Sequence, residues 1–361
     1  MKTLHVETGR HLYGGAQQVL YLTEGLTRRG VETLLVCPPD SAIAAAAEAL
    51  GVAVETIPCS GDLDLRFLSR LRRLLTRVQP DIVHCHSRRG ADFLGGQAAA
   101  MAGIPAVVSR RVDNPEPAML ATLRYRKFAR VVAISEVIRQ VLLTCGVADE
   151  RITVIRSAVD VDRFASAPAP QLLAETFGLP ADATVILSAA QLIPRKGQRY
   201  LLEALARLKP GYPQLRAVIC GQGPDEAELK RQAGQLGVDD IVCFAGFRDD
   251  LDDMLGAFDL LVHTASAEGL GVIALKAQAA GVPVVAFAAG GLPEIVNHAE
   301  TGLLVPDADV AVLSESIARL LDDTATRDRY AASAREHARA NLSTAPMIEA
   351  HLKLYASLLD D

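Results

Sequence analysis

Short, nearly continuous apolar runs recur along this chain, and most are followed by a segment with helical periodicity. Asp81 to His86, Thr184 to Ala189, Leu215 to Cys220, Leu260 to His263 and Val284 to Phe287 are of this kind. Strands that lack polar alternation are buried on both faces, and helical crossovers between them imply parallel pairing with helices on both sides. The pattern continues over 361 residues, more than one ordinary core accommodates. Its one compositional break, Ala165-Ser166-Ala167-Pro168-Ala169-Pro170, reads as a linker. The expected fold class is therefore α/β, with one doubly wound, Rossmann-like domain over residues 1–165 and a second over 166–344. An amphipathic helix over 345–361, with Pro346 in its first turn, closes the chain.

Composition narrows the class. No apolar run is long enough to span a bilayer, and the first seven residues are interrupted by charge too soon for a signal peptide. Six scattered cysteines without a CxxC pair predict free thiols and a cytoplasmic protein. The net charge of −6 hides an asymmetry: residues 1–165 carry 21 Lys+Arg against 17 Asp+Glu, and the remainder 16 against 26. Arg66, Arg70, Arg72, Arg73 and Arg77 share one helix and read as a solvated face. Arg110, Arg111, Arg124, Arg126, Lys127 and Arg130 add to the excess, which suits an anionic acceptor or membrane surface. An acidic whole with 4% aromatics and no Trp excludes nucleic acid as the natural partner.

Open α/β sheets bind ligands beyond the carboxyl ends of their strands, so the residues there carry the chemistry. After the strand at Thr184–Ala189 come Arg195, Lys196 and Gly197, fixed positive charge with flexible backbone, as a diphosphate requires. After Leu260–His263 come Glu268, Gly269, Leu270 and Gly271, a carboxylate suited to sugar hydroxyls or to a developing positive charge. Gly221 and Gly223 follow one strand, and Gly246, Phe247 and Arg248 another, where main chain could read a nucleobase. Gly290, Gly291 and Glu294 repeat the pattern. In the first half, Gly14 and Gly15 precede a helix without GxGxxG spacing. His84 and His86 share a strand face, with His86 at the carboxyl end; no acidic partner follows at ligand spacing, so no metal is expected. Asp249 to Asp253 has DxD-like spacing but fits a helix's first turn better.

These motifs resemble the GT-B retaining glycosyltransferases of family 4. The resemblance rests on Arg195-Lys196-Gly197, Cys220 to Pro224, Ser266 to Ala286, Gly290 to Val296, Ala133 to Glu136, Val154 to Phe164, Asp81 to His86 and Gly14-Gly15. It implies two Rossmann-like domains facing across a cleft, with the final helix crossing back to the first. A nucleotide sugar would bind mainly to the second domain, and a glycan or glycolipid acceptor, such as a lipopolysaccharide core, to the first. By position, Arg195 and Lys196 would hold the diphosphate, Glu268 with the backbone at Gly269 to Gly271 the sugar, and Gly14-Gly15 the phosphates. His86 would lie near the transferred sugar. The resemblance implies neither cofactor nor metal, and the nucleotide sugar is a substrate.

Two positions depart from the family. Lys276 stands where a second carboxylate would accept from the ribose hydroxyls, and an ammonium can only donate. Ser109-Arg110-Arg111 replaces Thr-x-His, which suits a phosphorylated or acidic acceptor. A scaffold protein with a degenerate donor site and a sugar-nucleotide epimerase are the competing readings. Release of nucleoside diphosphate separates enzyme from scaffold, and an acceptor-linked product separates transferase from epimerase.

Overall fold

The computed structural model describes residues 1–86, 90–166, 168–169 and 171–360; Ala167 and Pro170 of the expected linker lie outside them. The chain forms two compact units, Met1–Ala158 with Thr344–Asp361, and Val159–Ser343. Each contains one parallel sheet. In the first unit, β1 (Lys2–Val6), β2 (Glu32–Cys37), β3 (Ala53–Thr56), β4 (Ile82–Cys85), β5 (Ala106–Arg110), β6 (Arg130–Ala133) and β7 (Ile152–Val154) lie in the order β3-β2-β1-β4-β5-β6-β7. In the second, β8 (Thr184–Ala189), β9 (Leu215–Cys220), β10 (Val242–Gly246), β11 (Leu260–His263), β12 (Val284–Phe287) and β13 (Gly302–Val305) take the order β10-β9-β8-β11-β12-β13. The strand order reverses between β1 and β4 and between β8 and β11. Those two switch points are where this architecture leaves a crevice.

Burial explains the apolar runs. Every residue of β4, β11 and β12 is buried, as central parallel strands require. In the second unit, Leu201, Leu205, Leu260, Val262, Val285, Ile317 and Tyr330 share one core. The helix Leu65–Val78 is capped by Asp64, which accepts from the N–H groups of Arg66 and Phe67 at 3.0 Å each. It buries Phe67, Leu71, Leu74 and Leu75 at helical spacing and leaves its five arginines exposed. The segment after Gly290 and Gly291 forms only a 3₁₀ turn, Leu292–Glu294. Asn297 and Thr301 then form a tight turn into β13, with Asn297 N–H donating to Thr301 Oγ1 at 3.0 Å.

The final helix, Thr344–Leu359, belongs to the first unit. Its Met347, Ile348, Leu354 and Tyr355 join Tyr21, Leu22, Leu26, Ile82 and Val107 in one cluster. Gly25 sits where any larger side chain would meet Ile348, so the helix Gly14–Arg28 can approach this last helix closely. Beneath it the sheet is unusually polar. His5 pairs in register with His84, and alternation puts Thr3, His5, His84, His86 and Ser109 on one face. His84 is buried and shares hydrogen bonds with Tyr355 OH at 2.6 Å and Ser109 Oγ at 2.9 Å. Replacing Tyr355 with Phe strips one ring nitrogen of His84 of its partner in a dry setting. Urea denaturation should report a first-unit transition weakened by about 1–3 kcal/mol, and an unchanged midpoint would show that this bond stabilises nothing.

Candidate active site

In the second unit, the loops after β8 and β11 meet at the switch point. Pro194–Lys196 form a 3₁₀ turn, ended by Gly197 at φ 68°. A Cβ at Gly197 would lie 2.1 Å from the Thr264 carbonyl oxygen, so only glycine lets these loops touch. Ser266 N–H donates to Arg195 O at 3.0 Å, and Thr264 Oγ1 donates to Lys196 O at 3.2 Å. Both bonds end on backbone carbonyls of the 3₁₀ turn, and they fix where its side chains start.

Lys196 and Glu268, both expected at the donor, are ion-paired: Lys196 Nζ lies 2.5 Å from Glu268 Oε2. His263 Nε2 reaches the same oxygen at 3.0 Å, and Gly269 N–H donates to Oε1 at 3.2 Å. The main chain of Glu268 is held as firmly. Gly291 N–H donates to Glu268 O at 3.0 Å, and Gly290, at φ 56°, packs where a Cβ would stand 2.0 Å from that oxygen. Burial pushes the Glu268 carboxyl up, but the hydrogen bond and charge of His263, then Lys196, outweigh it and bring it down to about 2. The group is thus an ionised acceptor at neutral pH. His263 went unnoticed in the sequence; a polar residue ending an otherwise apolar strand at the switch point was its only signal.

The other expected donor residues gather on neighbouring elements of this unit. Gly221 and Gly223 press against the carbonyls of Ala190 and Leu192. Phe247 is exposed, while Arg248 forks onto Asp250 at 2.7 and 2.5 Å. Gly271, at φ 95°, opens the helix Val272–Ala280 after the buried Leu270, and the first N–H groups of that helix lack helical acceptors. Glu294 ends the 3₁₀ turn behind Gly290 and Gly291. Lys276 donates to both carboxylate oxygens of Asp252 at 2.8 Å, and Arg163 lies 3.3 Å from the same carboxylate. The Asp249–Asp253 segment is helix start, with Leu251–Met254 helical, and Asp252 is occupied by cations of its own chain.

The first unit holds the remaining expected residues. Gly14 and Gly15 begin the helix Gly14–Arg28, and a Cβ at Gly15 would touch Arg111 Cδ at 3.5 Å. Burial lowers Arg111 to about 10, with Glu7 and Tyr355 opposing. His86 is buried; its Nε2 lies 3.0 Å from His5 Nδ1, and its Nδ1 has no hydrogen-bond partner among the described residues. Burial, then His5 and Arg111, hold its pKa well below the ordinary range, so it is neutral at neutral pH. Arg110, expected at the acceptor, turns inward instead. Its guanidinium donates to Val112 O at 2.9 Å, to Asn114 O, to Glu116 Oε1 at 3.3 Å and to Tyr125 OH. The last position of β5 points it to the side opposite Arg111, and its partners leave it a structural cation.

Comparison with known proteins accords with this architecture. The sequence model of the glycosyl transferases group 1 matches residues 172–337, and that of glycosyltransferase family 4 matches residues 13–163. The D-inositol 3-phosphate glycosyltransferase of Mycolicibacterium smegmatis is 32% identical over 305 residues, 78% of this chain and 68% of its own. The lipopolysaccharide core biosynthesis glycosyltransferase LpsE of Rhizobium meliloti is 28% identical over 99% of both chains. The crystal structure of HepE from Anabaena in complex with UDP-glucose superposes with a TM-score of 0.87, at 23% identity, over 99% of this chain and 100% of that one. The chain belongs to the group 1 glycosyltransferases of the GT-B fold. It is a glycosyltransferase.

Glu268 also gives the site a pH signature. Folding lowers its pKa from 4.5 to about 2, so its contribution is complete above pH 4.5 and fades as pH falls through that window. The contribution is at most about 3 kcal/mol. Acid titration of unfolding free energy should show this loss in the wild type and a flatter profile in Glu268→Gln; parallel profiles would mean the carboxylate is not held by these partners.

Proposed function

We propose that this glycosyltransferase moves a sugar from a nucleoside-diphosphate sugar to a hydroxyl of a cell-envelope glycan or glycolipid, with retention of anomeric configuration. The observation that carries the reading is the Lys196–Glu268–His263 cluster at the switch point of the six-stranded sheet. An ammonium with two N–H bonds beyond its ion pair can meet a diphosphate, and an ionised carboxylate beside it can accept from sugar hydroxyls. Arg195 adds charge from the same turn. The UDP-glucose complex of HepE and the lipopolysaccharide core role of LpsE support this choice of donor and acceptor classes.

In this mechanism the acceptor hydroxyl attacks on the face from which the diphosphate departs. Lys196 and Arg195 stabilise the charge growing on the leaving group, where preorganised cations act most strongly. Glu268 fixes the sugar and faces the positive charge that develops at the anomeric carbon. In this reading the departing diphosphate takes the hydroxyl proton, His86, neutral, lies near the transferred sugar or the acceptor hydroxyl, and Arg111 meets an acidic or phosphorylated acceptor. We propose that transfer needs no cofactor or metal, because the two cations neutralise the diphosphate. No helix among the described residues is long and apolar enough to cross a membrane. Leu63, 89% exposed, and Leu65 lie beside the exposed arginines of the helix Leu65–Val78, which supports peripheral contact with an anionic membrane surface from the cytoplasm.

Incubation with UDP-, GDP-, ADP- and CMP-sugars and an envelope-glycan acceptor should release nucleoside diphosphate and give an acceptor-linked product whose anomeric NMR signal matches the donor. Lys196→Ala should lower kcat/KM by about 10²–10³; an inverted product overturns retention, and an unaltered rate overturns the role of Lys196.

Lys276 is the proposed determinant of nucleotide choice, since it replaces a ribose acceptor with a donor that Asp252 already holds. Lys276→Glu should place two carboxylates together and change the ranking of nucleotides in a thermal-shift screen. If Lys276→Glu and Lys276→Ala both preserve that ranking, the position does not reach the nucleotide.

A further inference from the structure

The polar face beneath the final helix contains a cluster of side chains of which the transfer reaction uses only His86. β4 carries His84 and, just past its end, His86; β1 carries His5 directly opposite His84. Strand alternation sends all three imidazoles to the same side of the sheet. One ring nitrogen from each lies within 4.8 Å of the others, and all three residues are buried. The third member stands 79 residues before His84, so sequence spacing shows only the pair.

We propose that His5, His84 and His86 form a binding site for one borderline divalent transition-metal ion, with Zn²⁺ as its reference occupant. Two imidazole nitrogens at ~2.0–2.1 Å from a tetrahedral zinc lie about 3.3 Å apart. His5 Nδ1 and His86 Nε2 already stand 3.0 Å apart. A metal ion would replace the single proton that those two nitrogens share. Ligating histidines turn their other ring nitrogen to an oxygen, and that arrangement is built here for His5 and His84. His5 Nε2 meets Thr3 Oγ1 at 3.2 Å, while His84 has Ser109 Oγ and Tyr355 OH on its two nitrogens and keeps one when the other ligates. A set made only of imidazoles favours zinc, copper or nickel over magnesium or calcium. Arg111 acts electrostatically on His84 and His86, which sets the affinity below that of a site without a neighbouring cation. The role is to staple β1 to β4 and, through the Tyr355 bond, to brace the final helix. It stands apart from donor binding, which the second unit provides.

The test uses the tag-free full chain, stripped by a chelator and titrated with Co²⁺ and, against a chromophoric chelator, with Zn²⁺. One equivalent of Co²⁺ should bind with the intense visible absorption of a tetrahedral, nitrogen-ligated ion. His5→Gln and His84→Gln should each weaken Zn²⁺ binding by at least about tenfold, whereas His11→Gln, at an exposed position, should leave it unchanged. Circular dichroism establishes that each variant is folded. Should a variant not fold, the wild-type cobalt spectrum decides. Absence of stoichiometric binding, a weak octahedral spectrum, or equal affinity in the folded variants would overturn the site and leave a hydrogen-bonded histidine chain.

Discussion

The ion pair between Lys196 and Glu268 organises the second unit's working edge. Two opposite charges at 2.5 Å, both largely out of water, would be costly without further partners. His263 and the Gly269 N–H supply those partners, and the glycine contacts at Gly197 and Gly290 bring the loops close enough for the pair to form. The backbone geometry therefore comes first, and the charge arrangement depends on it. A ligand that joins this cluster meets an acceptor and a donor already oriented, so little ordering remains to oppose binding.

Much of this was legible in the sequence, for a physical reason. Central parallel strands must be apolar on both faces, so β4, β8, β9, β11 and β12 announced themselves, and the loops after them followed. Lys196, Glu268 and the glycines of 290–291 were visible because they interrupt apolar patterns at strand ends. What stayed hidden depends on side-chain direction and on distant partners. Arg110 and Arg111 are neighbours in sequence, yet one turns into the unit and is consumed by Glu116, Tyr125 and carbonyl oxygens. Lys276 marked a departure from the family pattern, but nothing in the sequence paired it with Asp252, 24 residues earlier. His263 was hidden for the opposite reason, as a strand's last residue that looked like mere packing.

The first unit shows a different balance. Its sheet buries a row of imidazoles and hydroxyls where aliphatic residues would pack at lower cost, and the final helix covers them with His351 and Tyr355. Desolvation keeps these histidines neutral, so the face is a hydrogen-bonded layer and not a charged one. Such a layer is demanding in register, since each ring must find its partner. It therefore discriminates against slipped or misdocked arrangements more sharply than an aliphatic seam does.

The chain leaves the first unit at Ala158 and returns to it at Thr344, so the second unit is an insertion within the first. Its entry and exit run side by side, with Val159 N–H donating to Leu342 O at 2.8 Å and Val159 bridged to Ser343. During synthesis the second unit has its whole sequence available before the first has its covering helix. The second unit can thus fold while the polar face of the first still lacks its covering helix. The segment that covers that face is therefore made after the whole second unit, far along the chain from the residues it protects.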